Sequence, residues 1–138
     1  MKNVVITVIA ATGSFIASLY GGWTESMTTL LIFMAIDFIT GLICAGVFKK
    51  SQKTNNGALE SKASFKGLCR KGLIMLIVLM GHRIDLAMGT TCVRDAVCIA
   101  FIVNESISII ENAGLMGVPI PTAITNAIEI LKEKSEKK

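Results

Sequence analysis

Two long apolar runs, residues 4–22 and 26–48, stand back to back near the start of the chain. Each is about the length of helix that crosses the hydrocarbon of a bilayer. Within them only Asp37 carries a charge. The segment between, Gly21-Gly22-Trp23-Thr24-Glu25, reads as a tight turn. Trp23 suits a membrane–water boundary, where its amphipathic ring is favoured. Composition sharpens the constraint. The chain has 138 residues, 52% of them apolar and only 17% charged, with a mean hydropathy of +0.64. A chain this short hides only about two-thirds of its surface on folding. The remaining apolar surface must face lipid or other subunits. A soluble enzyme, a disordered protein and a nucleic-acid-binding domain are all disfavoured. Lys2 followed by an uncharged run also suggests a cleaved leader. The run is too long for one and leads straight into the second run, so it reads as a retained span.

Residues 49–71 change character. They hold Lys49, Lys50, Lys53, Lys62, Lys66, Arg70 and Lys71 against a single acid, Glu60, with a turn signal at Asn55-Asn56-Gly57. They are expected to form a basic loop on the cytoplasmic side, setting orientation and touching anionic lipid. Residues 72–91 and 92–110 are two further apolar stretches, less pure than the first pair. His82, Arg83, Asp85, Arg94 and Asp95 fall where these stretches meet, which suits a polar cluster at the outer interface. Gly114, Gly117, Pro119 and Pro121 end the last stretch.

The expected fold is therefore all-α: a polytopic membrane domain, residues 1–121, with four spans at about 4–22, 26–48, 72–91 and 92–110. Residues 122–138 form a cytoplasmic amphipathic tail, with Ile124, Ala127, Ile128 and Leu131 at helical spacing. Both termini are expected inside. A three-span arrangement, with residues 72–110 as one span plus a surface helix, would put the tail outside.

Polar residues inside the apolar runs are the candidate functional residues, because an acid in a span is expensive unless it faces protein or water. Asp37 sits mid-span. Its bland role is a hydrogen bond to a neighbouring helix, through Thr40 or a lysine end. Its functional role is pore lining or gating. Asn104, Ser108 and Glu111 step by four and three along one face, flanked by Glu105 and Asn112. Asp37, Asn104, Glu105, Ser108 and Glu111 make the expected polar face. Gly41 and Ala45 share the face of Asp37, and Ser14 and Ser18 lie on a second small-residue stripe; these four are the expected helix-packing positions.

No catalytic, cofactor-binding or metal-binding residue is expected. No GxxxxGK[ST], GxSxG or HExxH pattern occurs. Cys44, Cys69, Cys92 and Cys98 contain no CxxC pair and there is one histidine. The basic loop lacks the interleaved aromatics of a nucleic-acid surface.

Several of these residues are familiar together: Asp37-Phe38-Ile39-Thr40-Gly41, Ser61-Lys62 with Gly67 and Lys71, the run Asn104-Glu105-Ser106-Ile107-Ser108-Ile109-Ile110-Glu111-Asn112, and Gly117-Val118-Pro119-Ile120-Pro121. The sequence resembles the bacteriophage lysis and toxin-secretion holin family. The resemblance implies a small protein of the bacterial cytoplasmic membrane that gathers as a homo-oligomer and opens pores or lesions. A cell-wall hydrolase, or in some relatives a toxin, then passes outward. The alternatives are a small homo-oligomeric ion channel or transporter, a regulatory antiholin, and a structural membrane scaffold.

Overall fold

The computed structural model describes residues 1–137 and contains five helices: α1 (Lys2–Leu19), α2 (Glu25–Gly46), α3 (Ser61–Met88), α4 (Val93–Leu115) and α5 (Thr122–Glu136). No strand occurs among the described residues. Position 138, the last of the expected tail, lies outside them.

Each boundary has a local cause. Gly21 and Gly22 take positive φ and turn the chain after α1. A side chain at Gly21 would also strike the His82 ring, so this turn is pressed against α3. Thr24 then caps α2 by accepting from Met27 N. Glu25 adds a negative charge at the positive end of the helix. At the other hairpin, Gly89 ends α3 in the left-handed region. Asp85 next reaches forward to cap α4. Its carboxylate accepts from Val93 N at 2.9 Å, Arg94 N at 2.9 Å and Thr90 Oγ1 at 2.6 Å. Arg94 in turn donates from Nη1 to Tyr20 O at 2.7 Å. The α1–α2 and α3–α4 turns therefore lie side by side at one end of the molecule. The carboxylate of Asp85 is thus taken up by the orphan amides at the start of α4 rather than by His82, three residues before it.

Helices α2, α3 and α4 form the core, with α4 against both others. Met27, Leu30 and Met34 meet Ile74 and Val78 from α3 and Cys98 and Ile102 from α4. Residues in each set step by three or four, as one inward helix face requires. Tyr20 closes one end and donates from its hydroxyl to Met75 O at 2.9 Å. By contrast, α1 buries no residue. Val4, Val5, Ile6, Val8 and Ile9 are all more than half exposed. Outward residues of α2 and α3 are also apolar, among them Ile32, Ile39, Leu73, Leu76 and Met80. A soluble monomer rarely leaves such a continuous apolar coat in water.

Two helices, α1 and α2, are long and apolar enough to cross a membrane. The basic segment differs from its expected form. Residues 49–71 divide at Glu60: the first part is a loop closed by Ser51 N donating to Gly57 O, and Ser61 onward is already α3. A count of charges bears on orientation and carries no information about where a helix starts. Lysine and arginine are good helix formers, and no proline or paired turn residue interrupts 61–88. The tail also differs in position. It is helical and amphipathic, but α5 folds back along α4, and Leu131 touches the core cluster. Its half-buried stripe is Thr125, Ile128, Leu131 and Ser135. Gly117 at φ +79, with Pro119 and Pro121, reverses the chain and makes this return possible.

Candidate functional site

The inward faces of α2, α3 and α4 are not apolar throughout. Continue the α2 face from Met27, Leu30 and Met34, and the next position is Asp37. Extend the α3 face backward from Val78 and Ile74, and the next is Lys71. Carry the α4 face on from Cys98 and Ile102, and Glu105 and Asn112 follow. All three helices thus bring a charged residue to the same level of the bundle.

The geometry is a bridge. Lys71 Nζ donates to Asp37 Oδ2 and to Glu105 Oε2, each at 2.7 Å. The second oxygen of Asp37 accepts from Ser108 Oγ at 2.6 Å and from Asn112 Nδ2 at 3.2 Å. Asn112 also donates to Thr40 Oγ1 at 3.0 Å, and Thr40 Oγ1 donates to Asp37 O at 3.1 Å. Asp37 is 4% exposed and Glu105 6%. Charges this sheltered persist only when paired and hydrogen-bonded, which is what the ammonium and the Ser108 hydroxyl supply. The cluster joins one cation to two carboxylates and ties three helices at one level. It holds no nucleophile–base pair. Among the described residues, no group of three His, Cys, Asp or Glu could hold a metal ion.

The residues expected from sequence separate into those the structure gathers and those it does not. Asp37, Glu105 and Ser108 meet. Asn104 and Glu111 are exposed and stand on the rim of a cleft beside the cluster. The inward polar face of α4 runs through Glu105, Ser108 and Asn112, about one residue of rotation away from the expected stripe. Gly41 lies on Asn112, with 3.7 Å from a built Cβ to its Nδ2, and Ala45 is buried, so this stripe packs within the chain. Ser14 and Ser18 are exposed on α1, and Ser18 Oγ donates only to its own helix at Phe15 O. Of the seven basic residues assigned to orientation, Lys71 alone turns inward into an ion pair. In sequence, Lys71 reads as an orientation residue and Asn112 as a flank of the polar stripe, and neither as part of this cluster. The spacing 71, 74, 78 on α3 and 98, 102, 105, 112 on α4 carried the signal.

A family model for the bacteriophage holin family matches residues 14–133 of the chain. The chain belongs to the bacteriophage holin family. This family is a non-enzymatic, pore-forming class, and the chain is not an enzyme. Among its relatives is an uncharacterized protein of Halalkalibacterium halodurans, 38% identical over 136 residues, which cover 94% of this chain and 93% of the relative. An uncharacterized 14.9 kDa protein of Clostridium perfringens is 32% identical, over 97% of this chain and 99% of its own length. A protein of Bacillus phage phi105 named "Probable holin" is 32% identical, over 85% of this chain and 82% of its own length. No solved structure matches the chain. Family membership and the two apolar helices together point to a membrane location.

Proposed function

We propose that this chain is a holin. It assembles with copies of itself in the cytoplasmic membrane and opens a pore or lesion through which a cell-wall hydrolase, or a toxin, leaves the cell. The observation that carries the reading is the Asp37–Lys71–Glu105 bridge, a hydrophilic set on the inward seam of helices that are otherwise coated with apolar side chains. In the closed chain the charges satisfy one another. When several copies gather, separation of α2, α3 and α4 would turn that same surface toward water and line an aqueous path.

In this reading α1 to α4 are all spans. The adjacent α1–α2 and α3–α4 turns support an even number of crossings, with the basic loop and both termini on the cytoplasmic side. Mutual pairing of Asp37, Lys71 and Glu105 lowers the expense of carrying them in α2, α3 and α4. The exposed apolar face of α1, with Ser14 and Ser18 on it, suits contact with lipid or another copy.

The test is inducible expression in a bacterium with and without a cytoplasmic hydrolase that lacks its own export signal. The expected result is abrupt growth arrest after a fixed delay, with lysis only when both proteins are present. Ion leakage without enzyme release would favour a small channel or transporter. Unimpaired growth would favour an antiholin or a scaffold.

A further inference from the structure

A cleft of about 930 Å³ is lined by residues of α2, the 51–60 loop, α3 and α4. We propose that this cleft is a binding site for an anionic glycerophospholipid, with the phosphate at its basic rim and an acyl chain along its apolar wall. Lys62, Lys66 and Arg70 line it and step by four along one face of α3, and Lys53 lines it from the loop. Among the described residues, none of these four cations makes an ion pair. Like charges four apart on a helix repel one another, so a bound anion removes a strain that the chain itself leaves in place. The rim acids, Glu60 and Glu111, are fewer than the free cations, and the deep acids Asp37 and Glu105 are already engaged by Lys71.

Two further observations point the same way. Thr54 Oγ1, on the loop wall of the cleft, is buried without a hydrogen-bond partner, the only such side-chain atom among the described residues. A phosphate or glycerol oxygen reached by a small loop movement would supply that partner. Below the rim the wall is apolar, formed by Phe38, Leu42, Leu73 and Ile77, and a built Cβ at Gly67 meets nothing within 4 Å. A free phosphate would leave that wall uncovered, whereas a lipid fills both halves. Basic pockets between helices on the cytoplasmic side are suited to anionic headgroups. The proposal rests on the membrane reading above but not on pore formation.

The test places the full chain in nanodiscs of phosphatidylcholine and phosphatidylglycerol in equal amounts and counts retained lipids by native mass spectrometry. Each basic residue near an anionic headgroup is worth about fivefold in binding. The unchanged chain should retain phosphatidylglycerol over phosphatidylcholine by about tenfold or more on this basis. The K62Q/K66Q/R70Q variant should lose that preference, while K2Q/K132Q/K134Q, with equal charge removed elsewhere, should keep it. Gly67→Leu, which puts a side chain on the cleft wall between the cations and leaves every charge, should also weaken it. Excess inorganic phosphate should not displace the lipid. Equal loss from the two triple variants, an undiminished preference in Gly67→Leu, or full displacement by phosphate would each overturn the site. A chain that fails to enter the discs contradicts the membrane reading, and the site with it.

Discussion

Lys71 on α3 and Asp37 on α2 meet at 2.7 Å across the seam of the bundle, and the same ammonium holds Glu105 on α4 at 2.7 Å. One flexible cation therefore fixes the level of three helices. Each carboxylate depends on it for charge compensation.

Lys71→Met leaves two carboxylates sheltered with no cation between them. Removing one partner of a buried pair costs about 3–5 kcal/mol. The variant should melt earlier in detergent, followed by circular dichroism. Adding Asp37→Asn and Glu105→Gln should restore most of the loss, since no buried charge then remains. A single variant as stable as the unchanged chain would show that the bridge holds nothing together.

Asp37→Asn keeps the shape and the hydrogen bonds to Ser108 and Asn112 but frees Lys71 from one partner. Insertion and membrane level should be preserved, while the delay before growth arrest changes. Immunoblots of membrane fractions beside growth curves give both readouts. An unaltered delay at normal levels would remove Asp37 from gating.

The two small-residue stripes should respond differently. Gly41→Leu pushes into Asn112 and loosens α2 from α4 within one chain, for a loss of about 1–3 kcal/mol. Ser14→Leu with Ser18→Leu touches nothing inside the chain. It should leave the melting temperature unchanged and weaken the ladder of crosslinked oligomers. A full ladder from the α1 variant would exclude that face as the contact between copies.

Asp85→Ala removes the cap of α4, which carries three hydrogen bonds. The variant should melt several degrees lower, and amide exchange should rise at Val93 and Arg94. Asp85→Asn, which retains an acceptor, should fall between the two. Unchanged exchange at these amides would contradict the cap.

Much of this architecture is legible in the sequence, and the two misses at the polar cluster share one cause. Length and apolarity place α1 and α2, the Gly21-Gly22 and Gly117 to Pro121 signals place turns, and 3.6-residue spacing identifies the amphipathic α5. The polar residues alone place the polar face of α4 on Asn104 and Glu111. Read instead from the apolar residues above, Cys98 and Ile102, the face passes through Glu105 and Asn112. Lys71 was hidden for the same reason: in a run of seven basic residues its charge suggests a loop, whereas its spacing from Ile74 and Val78 marks it as inward. The return of α5 onto α4 depends on a turn geometry that no spacing rule specifies.

If apolar helices shelter a polar seam, assembly should open it wide enough for a folded enzyme. Purified chain reconstituted in lipid vesicles loaded with both a small dye and a folded hydrolase tests it most directly. Above a threshold ratio of protein to lipid, dye and enzyme should escape together. Escape of dye or ions with the enzyme retained at every ratio would rule out an opening of that width.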